Sequence, residues 1–287
     1  MKKTILLLTI AAACTAGPAN AADYTFDVTS GDWDVTTNWN PNGTPQDGDS
    51  ATIPYAKTCF VDTDEECDGI DVVGTLEIEA GASLTLRPEI AEWAKTPGTL
   101  KLTGDATNTA DLIIDGDVVM FGDLGQLVMA YGLIKAKNAS GDKLTLLQED
   151  PLHPPLRILG FGEISVALDS HVPVVADQPT KTLKLTGDDK IGSLPVGAWE
   201  AYGGTLEIDC AVTGDAPWKQ TRGGGNSNTV IKHCVSVTGD VTVTVGTFDV
   251  QATFCTSGDL VWMGNTGIDV SSGASASFGE TCSAFCP

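Results

Sequence analysis

The sequence predicts an all-β chain wound into stacked coils, a parallel β-solenoid with a cap at its N-terminal end. Three observations predict it. Helical periodicity is almost missing: the longest candidate, Arg87 to Lys95, carries Pro88 near its start and is followed by Pro97. The rest is short alternating runs rich in Val, Leu, Ile and Thr, broken by Gly-Asp, Gly-Gly and Asn-Gly turns, as in a protein of many short strands. Lastly, one tetrad of the form Thr-Leu-charged-aliphatic recurs at coil-length intervals. It stands at Thr75–Ile78 and next at Thr99–Leu102; it returns at Thr182–Leu185 and, after nearly the same interval, at Thr205–Ile208. A period of about 20–25 residues with two or three strands is one solenoid turn, whose apolar interior is buried only when turns stack.

The first element is a leader, residues 1–21. Lys2 and Lys3 precede an apolar run from Ile5 to Ala13, Pro18 breaks it, and Ala19-Asn20-Ala21 supplies the small residues of a cleavage site. A rival cut before Cys14 would leave a lipidated cysteine, and cleavage after Ala21 is preferred. The expected location is secreted or at the cell surface. The chain has 16 Lys plus Arg against 38 Asp plus Glu. Loss of the leader removes Lys2 and Lys3 and no acid, so the formal charge of −22 becomes −24. That excess disfavours nucleic acid and anionic membranes as partners, and no later segment is apolar for long enough to span a bilayer.

The second element is a cap segment, residues 22–60, with Trp33-Asp34-Val35-Thr36-Thr37-Asn38-Trp39-Asn40, Pro45 and Gly48-Asp49-Ser50-Ala51-Thr52-Ile53. It runs on to Gly74-Thr75-Leu76-Glu77-Ile78 and Gly81-Ala82-Ser83-Leu84. This succession resembles the opening of secreted bacterial right-handed parallel β-helix proteins of the pectate-lyase-like and autotransporter-passenger kind. The resemblance implies a right-handed β-helix and leaves function open, because that scaffold carries enzymes, adhesins and passive supports. Trp33 and Trp39 are expected to lid the first coil, which would otherwise expose its interior; a sugar-stacking platform is the alternative use.

The third element is the solenoid itself, residues 61–287, interrupted from Gln148 to Pro179 by several prolines. A β-sandwich of hairpins is the competing fold. Export makes disulfides the expected state of the cysteines. Cys59 and Cys67 could close a local loop. Cys210, Cys234 and Cys255 follow one another at coil-length intervals. Coil stacking would hold such positions about 5 Å apart, within the Cα range of about 4.4–6.8 Å that a disulfide accepts. The expected bridges are Cys210–Cys234, and Cys255 with Cys282 or Cys286.

Chemistry is sparse. His153, His171 and His233 are isolated, and no Gly-x-Ser-x-Gly elbow, phosphate loop or His-Glu-x-x-His occurs. The resemblance invites a check for lyase and polygalacturonase signatures. Arg87, Arg157 and Arg222 do not form an Arg-x-Pro-x-x-Arg, and Asp188-Asp189 has no Gly-His-Gly or Arg-Ile-Lys beside it. No cofactor is expected, with calcium as the exception: Asp62, Asp64, Glu66 and Asp68 lie close together, but the position where a Ca²⁺ loop places its bidentate Glu holds Thr75. Trp199, Tyr202 and Trp218 are candidates for an aromatic ligand platform. The expected function is structural or adhesive, without catalysis, with self-association or surface glycans as partners. The alternative is a carbohydrate-active protein, a polysaccharide lyase or glycoside hydrolase.

Overall fold

A computed structural model describes residues 21–279 apart from 88–92, 96, 123–124, 139–140, 149–151, 194–196, 222–226 and 264–265. The leader and Cys14, Cys282 and Cys286 therefore lie outside the described residues. The chain forms a parallel β-solenoid of about 10 turns with almost no helix. Among the described residues every strand pairing is parallel except that of Trp39–Asn40 with Asp23–Phe26. This excludes the sandwich, whose sheets are antiparallel.

Each turn lays strands on three faces, here A, B and C. One coil runs Gly69–Val72 on A, Thr75–Glu79 on B and Ser83–Leu86 on C. Strand alternation sends every second side chain inward, and inward residues stack on their counterparts one coil away. On face B the inward column reads Cys59, Leu76, Leu100, Leu127, Ile158, Val174, Trp199, Trp218 and Val241. On face C it reads Leu112, Ile134, Ile164, Leu185, Ile208, Ile231 and Val250. All of these are buried, and a buried Leu, Ile or Val side chain contributes about 1.5–3 kcal/mol. The tetrads pair in register: Thr75 with Thr99 on face B, and Thr182 with Thr205 on face C. Outside, unlike charges meet between coils, as in Lys101–Glu77 at 3.4 Å and Lys232–Glu207 at 2.9 Å.

The N-terminal end is closed by aromatic packing. Trp39 stacks edge-to-face on Phe26 and Trp33, with centroids 5.1 and 4.9 Å away, and its Nε1 donates to the Trp33 carbonyl at 2.7 Å. Both tryptophans are buried, which leaves no ring face for a sugar. At the other end Val261, Trp262, Met263 and Val270 are exposed.

The cysteines correct two expectations. Cys59, Cys67 and Cys210 are buried free thiols. Cys59 and Cys67 sit on different faces of one coil, and each points inward beneath its own column, over Leu76 and Leu86. Burial pushes both thiols far up from their ordinary pKa. The Cys210–Cys234 bridge fails by a single position. Val212 pairs with Val235, so Ala211 is the residue beside Cys234. A slip of one position turns a side chain to the opposite face of the sheet. Cys234 and Cys255 are each disulfide-bonded.

Candidate functional site

The coils lose their regularity between Ser83 and Ile164, and the site is centred there. The strand Gln126–Ala136 passes from face B to face C without a loop, turning the corner at one residue, Tyr131. Its neighbour Arg157–Ile164 turns at Phe161, and the pairing between them skips a residue between Ala130 and Gly132. Such a corner needs backbone that is not extended. Tyr131 adopts φ +53°, a left-handed conformation costing a side chain about 1–2 kcal/mol. On the facing strand glycine serves: Gly160 and Gly162 have φ +117° and +136°. A Cβ on Gly160 would lie 1.9 Å from the Met129 carbonyl oxygen.

The two corner aromatics meet edge-to-face, centroids 4.8 Å apart. Lys181 lies against both, its Nζ 4.8 Å from the Tyr131 centroid and 5.1 Å from that of Phe161. The same ammonium donates to the Tyr131 hydroxyl at 2.8 Å. Thr180, next to it, is a second left-handed residue at φ +63°; strained backbone of this kind gathers at functional sites. Tyr131, Phe161, Glu163, Lys181, Thr182 and Lys184 line an open recess of about 360 Å³.

This recess is one of three in a row. It shares Thr109 with a polar recess of about 410 Å³ around Asp111, Asn108 and Lys135. That one shares Asp64 and Ser83 with a third, of about 360 Å³, that includes Glu65, Glu66 and Gln46. Together they form a groove along the solenoid axis. Its floor is an outward column of face C: Asp64, Ser83, Asp111, Leu133, Glu163 and Lys184, each paired with the next. Five inter-strand steps of about 4.8 Å make it roughly 24 Å long.

Its walls are held by short-range hydrogen bonds. Asp105 accepts the backbone N–H groups of Thr107 and Asn108 and the Thr107 hydroxyl, which hold its carboxyl at about 2. The Ser83 hydroxyl donates to Asp64 Oδ1 at 2.8 Å, Lys135 is paired with Asp111, and Asp111 Oδ1 is buried without a hydrogen-bond partner. Burial raises the Glu65 carboxyl above its usual range, helped by Asp34, Asp62 and Asp64 and opposed by the Thr63 hydroxyl.

The residues singled out from sequence fare differently. Trp199 and Trp218 are paired neighbours in the inward column of face B. They are buried, so no ligand can stack on them: consecutive coils place them in core positions, and only Tyr202 of that trio is exposed. Among the acids proposed for calcium, Asp64 is engaged by Ser83, Asp68 Oδ1 accepts the Gly48 N–H at 2.8 Å, and Glu66 lies 3.9 Å from Arg87. Among the described residues no three His, Cys, Asp or Glu side chains are grouped to hold a metal. The histidines lie in separate coils; His171 Nε2 is 3.4 Å from Asp169 Oδ1. Sequence reasoning missed Tyr131, Phe161 and Lys181. The available signal was Tyr131-Gly132 and Gly160-Phe161-Gly162, aromatics set among glycines inside strand-like runs, where glycine marks a bulge or close approach.

No helix among the described residues is long and apolar enough to cross a membrane. No protein family, curated protein or solved structure matches this chain.

Proposed function

We propose that the protein is an exported β-solenoid of the cell exterior, with a structural or adhesive role that does not depend on catalysis. The observation that carries this reading is the axial groove, a long open binding surface on a stack of mutually supporting coils. An open groove contacts an elongated partner along many coils at once, which suits attachment. The leader-like N-terminus supports export, and the strongly negative surface favours solubility outside the cell. The exposed Val261, Trp262, Met263 and Val270 support self-association through the C-terminal end, in contrast to the closed N-terminal one.

The test is direct. The full chain is expressed with its own leader, and the cytoplasmic, envelope and medium fractions are probed, with N-terminal sequencing of the exported form. Beads coated with the mature protein are then assayed for retention on cell-envelope material. Retention of the full-length precursor inside the cell, or beads no stickier than uncoated ones, overturns the reading.

A second reading, that the groove is carbohydrate-active, draws on Asp64 and Asp111, two coils apart in one column with Ser83 between them. Two strand steps of about 4.8 Å separate the two positions, and a pair of carboxylates is the equipment of glycoside hydrolysis. New reducing ends or unsaturated products from polysaccharide substrates would favour it over adhesion.

A further inference from the structure

We infer that the groove on face C holds a neutral polysaccharide chain, with one sugar ring seated against Tyr131 and Phe161. This rests on the adhesive reading and names the chemistry of the partner. The groove's shape requires something long and thin. An extended peptide gains affinity by adding a strand to a free sheet edge, but the floor strands from Ser83–Leu86 to Thr182–Thr186 already have a partner on each side. A partner lying across them meets side chains only. Apart from Ile113, Leu133 and the corner aromatics, those side chains are mainly hydroxyls, an amide and ions: Ser83, Thr107, Asn108, Thr109 and Thr182 among the carboxylates and lysines. A polymer dense in hydroxyls, each both donor and acceptor, suits such a lining.

The charge of the groove decides which polymer. Its lining carries Asp64, Glu65, Glu66, Asp111 and Glu163 against Lys135, Lys181 and Lys184. Lys135 is committed to Asp111, and Lys184 lies 3.6 Å from Glu207. Outside the aromatic recess, where Lys181 and Lys184 face Glu163, the surplus is negative, in a chain of net charge −22. A polyuronate or sulfated glycan would therefore be repelled along most of its length. Uncharged hydroxyls instead find acceptors in the carboxylates. The aromatic pair adds the apolar contact that the C–H face of a sugar ring can use. Left-handed Tyr131 and Thr180 hold the ring and the Lys181 wall at the same corner.

The experiment is calorimetric titration of the mature protein with hexasaccharides of neutral glucan, mannan and xylan, and with hexagalacturonate for comparison. Binding to at least one neutral hexasaccharide and none to hexagalacturonate is expected. Tyr131→Gly, which suits the left-handed backbone, and Phe161→Ala should each weaken binding about tenfold. Tyr55→Ala, at an exposed aromatic outside the groove lining, should leave it unchanged. Circular dichroism melts confirm that each variant is folded, and Phe161→Leu stands in if Phe161→Ala is not. Failure of every neutral hexasaccharide to bind, tighter binding of hexagalacturonate, or wild-type affinity in the folded Tyr131 and Phe161 variants overturns the inference. Export and bead adhesion are read separately, so a protein that adheres but ignores neutral glycans refutes this assignment alone.

Discussion

Two stretches of the same rod differ in how they use repetition. On face C the strands Thr182–Thr186, Thr205–Asp209 and Asn228–Ile231 follow one another at a constant step along the chain. Their inward residues stack in register, aliphatic on aliphatic except at Thr229. Their outward residues mainly pair charges, with Thr182 and Lys184 bordering the groove at its end. Between Ser83 and Ile164 the same face advances unevenly: Ser83 pairs with Asp111 across a long excursion, Asp111 with Leu133 across a short one, and Leu133 with Glu163 across the longest. There the extra residues become the 104–109 loop, the corner at Tyr131 and the Pro-rich insertion before Leu156. The regular stretch yields core; the irregular one yields core and a groove. Repetition stabilises the rod, and departures from it create places where a ligand can sit.

The comparison breaks most visibly if the two stretches respond alike to mutation. The largest effect is expected in the regular stretch. Leu206 is buried in the face C coils and paired with Leu183 and Thr229. Leu206→Ala should cost about 3–4 kcal/mol in urea unfolding, while glycan affinity in the surviving folded protein stays as it was. In the irregular stretch Gly160→Ala should cost about 3 kcal/mol, because the new Cβ meets backbone and the φ of +117° is hostile to it. Here affinity should fall together with stability, since the corner carries Phe161. If both variants lose stability with binding unaltered, the groove is not built by the irregularity.

The same contrast explains how much could be read from the sequence. The tetrads at Thr75, Thr99, Thr182 and Thr205 were legible because stacking demands like residues at like positions, and their registers follow residue for residue. What could not be read is which face a tetrad occupies: the first two are on B and the second two on C. The cysteine spacing misled for a related reason. The interval from Cys210 to Cys234 is coil-like, yet the local coil, from Val212 to its partner Val235, is shorter by a single position, and that position decides inside from outside. Trp199 and Trp218 occupy successive positions in a core column rather than an outer platform. The groove was hidden because its residues come from five or more coils at unequal spacing. No linear motif unites Asp64, Asp111, Tyr131 and Lys181; only the stacking does.

A smaller effect probes an exception within the regular stretch. Lys190 occupies the inward column of face A between Leu168 and Val212, fully buried. Its ammonium donates to the carbonyls of Thr186, at 2.7 Å, and Asp188, which line the corner leading into its strand. Burial lowers its pKa, with nearby Cys210, Asp188 and Asp189 opposing. The folded protein therefore binds fewer protons than the unfolded one between that depressed value and the ordinary 10.5. Stability should rise with pH through this window, level off above it, and bear the full cost of the buried charge below it. Lys190→Met keeps the stem and leaves two carbonyls without their donor. About 1–2 kcal/mol should be lost near neutral pH, and the rise in alkaline solution should vanish. An unchanged pH profile would mean that some other group produces the rise.

The smallest effect has the opposite sign and bears most closely on why the groove is strained. Thr180 is exposed, β-branched and left-handed at φ +63°, where its Cβ crowds the backbone. Glycine removes that crowding but leaves a more flexible unfolded chain, so the two terms largely offset. Thr180→Gly should stabilise the protein by about 0.5 kcal/mol, seen as a small rise in melting temperature. The cost should appear in the groove, because a freer residue 180 holds Lys181 less firmly over Tyr131 and Phe161, and neutral-glycan affinity should drop two- to threefold. If the variant is more stable and binds as well as before, the strain at this corner serves packing and not recognition. If it is less stable, the threonine side chain contributes a contact that outweighs its backbone penalty, and the left-handed residue belongs with the regular coils after all.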